Sequence, residues 1–488
     1  MKNYKNLLSY KRLIIISILL LGTAFISILL FSLFYIKKEE VTTLVISEEI
    51  MLNRKVSVNK NGEITTSWKN PITEKTTNRF TLQLTNDLIL KYNDNYIKIY
   101  DFKKDLIIFI NHEQKTFKQY PIHSIVSYKQ IEKTLRERIS QAYKIALGDN
   151  KDKNLDDRCF DQFNLDMLFA TSKDKNHYKN LISSKNDEHE IFKLNGDKIA
   201  EFKLSKFTVS QNNMDMYLKY FLYENMMHPI IISKLLDKGL IFSDLYYKTF
   251  PFFDSEETKK YKVLSIDYDK KLISYTIPEN YQEVLSYNDR LKDIQLSFAS
   301  KKNKFPDYQK CIESAEKEIG TDNIIEGFLI MNKCILTYKM SIEDYKKIYL
   351  PISENPAIKN IIKINDKSLS YEEAKNIINN LPQLQRDHDY ILKIYLANKI
   401  KLADTNKSFD YLFEALRKDP FITGVYHDLG ELFLISYDAD NAFICWSMAE
   451  AISPEFSMND SIRKYKRKLE HEFPDHFIHK PSTKETEK

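Results

Sequence analysis

The sequence predicts an α+β protein in three parts: a transmembrane helix, an antiparallel strand-rich sheet with covering helices, and an all-α domain of helical hairpins. Three observations predict this order. Residues 13–36 carry no charged side chain. Residues 41–280 contain short runs in which apolar and polar side chains alternate, which is typical of half-buried strands. Residues 281–473 contain apolar side chains at helical spacing.

The uncharged run from Leu13 to Ile36 is the first element. As a helix it would extend about 36 Å at ~1.5 Å per residue, which is enough to cross a bilayer. Its N-terminal flank, residues 1–12, carries basic side chains and no acidic one: Lys2, Lys5, Lys11 and Arg12. This flank predicts a signal anchor in the plasma (inner) membrane, with the lipid bilayer as partner of residues 13–36. The N-terminus, residues 1–12, is expected to be cytoplasmic, and residues 37–488 periplasmic or extracellular. The alternative is a buried helix of a soluble protein.

Composition excludes several functional classes. The formal net charge is +5, and residues 1–12 supply +4 of it, so the remainder is nearly neutral and no nucleic-acid partner is expected. Glycine occurs only nine times, and the sequence contains no GxGxxG, GxxxxGK[ST] or GxSxG motif. We therefore expect no catalytic residue, no cofactor and no enzyme activity.

The strand-rich part, residues 41–280, begins with an antiparallel meander that ends near Pro121. A helix is predicted over 127–147, where apolar residues share one face and Gly148 ends it. Asn195-Gly196 predicts a tight hairpin. Two further helices, 213–227 and 229–239, precede the last strands.

The stretch YIKIYDFKKDLIIFINHEQKTFKQYPI within this meander resembles the half-barrel carriers of the lipoprotein-localisation type. The resemblance implies a concave apolar surface for a hydrophobic small molecule. Six residues of the meander are compatible with such a face: Leu88, Leu90, Ile97, Ile99, Ile107 and Phe109. An ordinary core covered by the 127–147 helix would show the same pattern.

The helical part, residues 281–473, contains one spaced motif. Its first helix carries Tyr426, Leu429, Gly430 and Phe433, its second carries Ala442, Trp446 and Ala449, and Pro454 ends it. This spacing resembles the tetratricopeptide repeat (TPR), with the clearest repeats at 389–422 and 423–456. A cap at 457–473 and a disordered tail at 474–488 would follow. Generic helical hairpins with coincidental spacing are the alternative.

In the TPR family, the first helix of each repeat lines a concave groove that receives a peptide or a partner's helix. Carried over by repeat position, the resemblance implies that this groove is lined by Tyr390, Lys393, His427 and Glu431.

The cysteines and histidines are the candidates for disulfide and metal bonding. Cys311 and Cys334 would face each other in an antiparallel hairpin, so they form either a disulfide or two buried thiols. His471, His476 and His479 match no standard ligand spacing, so they are interpreted as solvated and no metal is expected.

Two functional hypotheses follow. The first is a membrane-anchored, exported, non-catalytic scaffold that binds another envelope protein, or a peptide of it, through the TPR-like domain. The second makes the strand-rich domain a carrier or sensor of a hydrophobic, lipid-like ligand.

Overall fold

The fold was analysed in a computed structural model of the chain. The structure describes residues 41–54, 57–58, 64–65, 72–147, 157–171, 178, 180–186, 188–225, 227–236, 240–252, 255–268, 272–273, 275–284, 288–301, 307–366, 368–382 and 386–478.

A large, mostly antiparallel sheet forms the first half of the α+β fold. Within the described residues, its 12 strands are ordered β14-β8-β7-β6-β5-β4-β1-β13-β12-β11-β10-β9, and the β14–β8 pair is parallel. The first strand therefore lies in the middle, between the meander β4–β8 and the second antiparallel group β9–β13. The strands are β1 Thr42–Arg54, β2 Ser57–Val58, β3 Ile64–Thr65, β4 Ile72–Leu84, β5 Leu88–Tyr92, β6 Tyr96–Asp101, β7 Leu106–Asn111, β8 Thr116–Pro121, β9 Leu181–Asn186, β10 His189–Leu194, β11 Asp197–Thr208, β12 Leu240–Phe252, β13 Ser255–Asp267 and β14 Gln282–Glu283. Strands β2 and β3 pair separately.

Turn chemistry accounts for the β10–β11 hairpin. Asn195 and Gly196 both have positive φ, 52° and 91°, as a two-residue turn matched to the strand twist requires. The prediction of a hairpin at this dipeptide is therefore confirmed.

The register of the meander divides the predicted apolar face. Ile99 pairs with Ile108, and Tyr100 pairs with Ile107. Because directly paired residues share a face, Ile107 and Phe109 lie on the side opposite Leu90 and Ile99. The six residues taken as one face thus belong to two faces, and the assignment of Ile107 and Phe109 is corrected.

Helices cover one face of the sheet and close a single core with it. They are α1 Ile122–Leu147, α2 Gln162–Phe169, α3 Gln211–Tyr220 and α4 Pro229–Leu236, and a π-helical turn, Phe221–Asn225, follows α3. Leu82 and Tyr100 of the sheet, Val126 of α1 and Tyr217 of α3 are all fully buried in this core.

The π-helical turn carries a carboxylate into the core. Glu224 accepts a hydrogen bond from Lys91 Nζ at 3.0 Å and is also bonded to Lys98 and Tyr100. Burial alone would raise the pKa of Glu224, but the two ammonium groups outweigh it and hold that pKa well below its usual range. Lys129 of α1 donates to the Leu222 carbonyl of the same turn. Burial lowers the pKa of Lys129 to about 7.

The second half is helical. Its helices are α5 Asp289–Lys301, α6 Tyr308–Gly320, α7 Ile324–Thr337, α8 Ile342–Tyr349, α9 Pro356–Lys363, α10 Tyr371–Asn379, α11 Tyr390–Ile400, α12 Thr405–Lys418, α13 Thr423–Ile435, α14 Ala439–Ile452 and α15 Asn459–Glu472.

Two helical hairpins of this half repeat. Helix α14 has the bounds of α12 moved by 34 residues, since 439 − 405 and 452 − 418 are both 34. Asp404 and Asp438, also 34 apart, cap these two helices through the backbone N–H groups of Lys407 and Asn441. The local geometry is thus periodic, while membership of the TPR family stays a prediction.

The C-terminal segment packs onto the sheet half. Trp446 of α14, together with Ile462 and Leu469 of α15, belongs to the same core as the sheet residues. Beyond α15, Tyr223 Oη donates to the His476 carbonyl at 2.6 Å, and His476 is 2% exposed. Residues 474–478 are therefore not part of a disordered tail, and His476 is not solvated. Residues 479–488, with His479, lie outside the described residues.

The membrane prediction is corrected. Among the residues that the structure describes, no helix is both long enough and apolar enough to cross a bilayer. This finding contradicts the localisation as a single-pass membrane protein with an exported bulk. Residues 13–36, on which that prediction depends, lie outside the described residues.

Gly430→Ala is expected to destabilise the folded chain by about 1–3 kcal/mol. A Cβ at this position would overlap the indole ring of Trp446, which is 4% exposed. Gly320→Ala is the control, because nothing lies within 4 Å of a Cβ added there. Urea unfolding would measure both free energies, and equal values for the two variants would contradict this packing.

Lys129→Met is expected to flatten the pH dependence of stability above pH 7. The pKa of Lys129 is about 7 in the folded chain and 10.5 in an unfolded one. Between these values only the unfolded state holds the proton, so the free energy of unfolding rises with pH by up to about 1.4 kcal/mol per unit. Below pH 7 both states are protonated and this contribution does not change with pH.

Urea unfolding of the wild type and of Lys129→Met at pH 6 to 9.5 would test this sign. Lys144→Met, at an exposed position of α1, is the matched control and should follow the wild type. If the curves of wild type and Lys129→Met run parallel, then Lys129 is not a buried neutral amine.

Candidate functional site

Three side chains of α13 that can bind a metal ion or a proton lie close together. The side chains of His427, Asp428 and Glu431 each offer one ligand atom, and these atoms all lie within 4.8 Å of one another. Positions i, i+1 and i+4 span about 100° of a helix at ~3.6 residues per turn, so the three side chains share one side. His427 is 3% exposed, whereas the Glu431 side chain is 44% exposed.

Side chains from α11 and α15 surround this cluster. Asn398 Nδ2 donates to Asp428 Oδ2 at 3.2 Å, and Lys401 Nζ lies 3.7 Å from Glu431 Oε2. Ser461 Oγ of α15 lies 2.8 Å from His427 Nε2. Burial raises the pKa of Asp428 to about 6 and lowers the pKa of His427. The site thus joins three helices and contains more acceptors than donors.

Of the four predicted groove residues, the structure brings two together. His427 Nδ1 lies 3.8 Å from Glu431 Oε1. Lys393 is paired instead with Glu414 of α12. Tyr390 is 8% exposed, next to His388, with a centroid distance of 5.5 Å between the rings. As partner-binding residues the four stay a prediction, because nothing in the structure shows a bound partner.

The helix α7 runs through the core of the helical half and is held there by several kinds of contact. Asn332 accepts from Tyr395 Oη at 2.6 Å, and Thr423 Oγ1 donates to the Thr337 carbonyl at 2.9 Å. Cys334 of α7 and Cys311 of α6 form a disulfide with a Cα–Cα distance of 6.0 Å. Cys159 and Cys445 are both buried.

An apolar stripe lies on the surface of α8. Ile342 and Leu350 are 74% and 62% exposed, and the rings of Tyr345 and Tyr349 stack with centroids 5.2 Å apart. We call Ile342, Tyr345, Tyr349 and Leu350 the α8 stripe. The helix beneath it is well capped, since Ser341 Oγ accepts from the backbone N–H of Asp344.

A segment of irregular chain covers one face of the meander. Leu90, Ile99, Ile108 and Ile110 form an apolar cluster there. The described residues of 272–284, which we call the strap, pack against it through Leu272, Tyr275, Ile277 and Tyr281. Tyr275 Oη donates to Asp101 at 3.0 Å, and Tyr281 Oη lies 2.8 Å from His112 Nδ1, so the strap is fastened by polar bonds.

The outer face of β1 and β10–β13 carries an open groove of about 580 Å³. Side chains of both charges line it, among them Glu49, Glu201, Lys203 and Lys260. Several of these are already paired with each other, as Lys260 is with Glu49 at 3.3 Å. We therefore assign no ligand to this groove.

Sequence reasoning missed two polar groups that the structure assembles. Asp428 was passed over, although the spacing His-Asp-x-x-Glu places it beside two selected residues. The Glu224 cluster carried a weaker signal, namely Lys91 and Lys98 within otherwise apolar strands. Long-range packing decides which faces of the strands meet the turn at Glu224. No local sequence pattern indicates this contact.

Comparison with known proteins identifies no family for this chain. No family model matches the chain, and no curated protein matches it. Among solved structures, it is similar to one titled "Lipid-protein interactions in lipovitellin", with 9% identity and a TM-score of 0.18. The match covers 83% of this chain and 46% of that chain, so the chain spans less than half of that structure's length. At this TM-score the likeness indicates neither fold nor function, and both family resemblances stay predictions.

Proposed function

We propose that the protein is a non-catalytic scaffold that binds a protein partner through its helical half, at the α8 stripe. One observation carries this proposal: two large aliphatic side chains, Ile342 and Leu350, are mostly exposed beside a stacked pair of tyrosines. Contiguous exposed apolar side chains of this kind mark interaction sites. Aromatic residues at such sites commonly dominate the binding energy.

The partner that fits this stripe is an amphipathic helix with an acidic residue beside its apolar face. Ile342, Lys346 and Leu350 follow one another at i, i+4 and i+8, so Lys346 lies on the same side of the helix as the two aliphatic residues. Lys346 is exposed, whereas Asp344 is engaged by Tyr308 Oη at 2.6 Å and by Ser341. Covering one aliphatic side chain fully contributes about 1.5–3 kcal/mol.

The double variant Ile342→Asp/Leu350→Asp is expected to weaken partner binding at least about tenfold, since each 1.4 kcal/mol is a factor of ten. The probe is a phage-displayed library of amphipathic helical peptides selected on the full chain. Surface plasmon resonance would give the Kd of the enriched peptides. Lys346→Glu should reduce the association rate of the acidic peptides in particular, because it reverses the attracting charge.

Ile145→Asp is the matched control, because Ile145 is 83% exposed on α1, away from the stripe. Enriched peptides that bind the double variant as tightly as the wild type would overturn the proposal. A selection that enriches no peptide on the wild type would overturn it as well.

A carrier of a hydrophobic ligand is the second candidate function, and the strap is the observation that favours it. Leu90 and Ile99 are fully buried, and their cover is the strap, a largely irregular segment that ends in the short strand β14, and not a helix. If the strap were displaced, this face could receive an acyl chain.

Binding of a fluorescent fatty acid would test the carrier. Ile277→Asp loosens the strap and should increase binding several-fold, whereas Ile97→Asp makes the face itself polar and should decrease it. General destabilisation would instead raise dye binding in both variants and count against the carrier. Leu264→Asp, at an exposed position of β13, should change nothing.

A further inference from the structure

The tautomer of His427 can be read from its neighbours. Ser461 Oγ donates its single proton to the Met458 carbonyl at 2.7 Å. It must therefore accept the proton of His427 Nε2–H across their 2.8 Å contact. The other ring nitrogen, Nδ1, then carries a free lone pair.

This lone pair points at a second acceptor. His427 Nδ1 is buried and has no hydrogen-bond partner, and it lies 3.8 Å from the carboxylate oxygen Glu431 Oε1. Because His427 is only 3% exposed, an unpartnered ring nitrogen 3.8 Å from a carboxylate oxygen is unfavourable unless a cation lies between them.

The nearby donors do not satisfy the cluster. Asn398 occupies Asp428 Oδ2, and the Lys401 ammonium lies near Glu431 Oε2. One imidazole nitrogen and one oxygen of each carboxylate remain. They are convergent, and two of the three belong to formally anionic groups.

We propose that His427, Asp428 and Glu431 bind a divalent transition-metal ion, through one nitrogen and two carboxylate oxygens. The imidazole favours Zn²⁺ over Ca²⁺ and Mg²⁺, which prefer all-oxygen sites. Ligands of a tetrahedral Zn²⁺ site lie about 3.3 Å apart at metal–ligand distances near ~2.0 Å. The half-exposed Glu431 side chain has the freedom to close the present separation, and open positions would hold water.

Lys401 has a defined part in this site. Its ammonium is the competing cation at Glu431, 3.7 Å from Oε2. The metal must overcome that interaction, so removing the ammonium should strengthen metal binding. This inference goes beyond the proposed scaffold function and does not depend on it, because the α8 stripe shares no residue with the site.

The test is calorimetric titration of the chelator-treated full chain with ZnCl₂. The wild type should bind one equivalent, and Glu431→Gln and Asp428→Asn should each weaken its Kd at least tenfold. Glu414→Gln is the matched control, a half-exposed carboxylate of α12 that is paired with Lys393. Lys401→Gln should tighten the Kd several-fold, an effect that a purely structural ion pair would not produce.

A spectroscopic measurement tests the nitrogen ligand separately. Mn²⁺ bound to the wild type should show coupling to one directly coordinated ¹⁴N in pulsed electron paramagnetic resonance, and His427→Asn should lose it. If His427→Asn fails to fold, the half-exposed Glu431 and the Lys401 variants decide the question. No Zn²⁺ binding by the wild type, or equal affinity in Glu431→Gln, would overturn the proposal.

Discussion

The packing of α1 between the sheet and the C-terminal helices is the contact on which the rest of the structure depends. On one side, Lys129 reaches the Leu222 carbonyl in the π-helical turn. On the other, Ser127 Oγ and Tyr465 Oη lie 2.8 Å apart, and His123 bridges Asp105 and Glu470. Because Trp446 and Leu469 share a core with the sheet, the two halves are not independent domains joined by a linker.

This shared core explains which parts of the fold the sequence could predict. Alternation along DLILKY, NYIKIYDF and DLIIFI predicts β5, β6 and β7, because a strand's periodicity is a local property. Which face Ile107 occupies depends on the register across a turn, where a shift of one residue exchanges the two faces. Likewise, Pro474–His476 reads as a polar end of the chain, and only its contacts with Tyr223 and Lys219 make it part of the core.

The helical half shows the same division between local and long-range information. The 34-residue spacing of Asp404 and Asp438 is visible in the sequence, because caps and helix lengths are local. His427 and Glu431 could likewise be placed on one helix face. What the sequence could not supply is the partner of each ring nitrogen of His427, since Ser461 comes from α15 and its orientation is set by the Met458 carbonyl. The chemistry of the site therefore follows from the packing of α15.

The proposed metal site and the packing of α15 are coupled through this one hydrogen bond. A cation on Nδ1 withdraws electron density from the imidazole, which strengthens Nε2–H as a donor to Ser461. Ser461 lies one residue before Ile462, and Ile462 belongs to the core shared with the sheet. By linkage, interactions that hold α15 against α13 also orient His427 for metal binding. Bound metal in turn stabilises the packing of α15 against α13. The site is therefore coupled to the junction of the two halves, although all three ligands lie on a single helix.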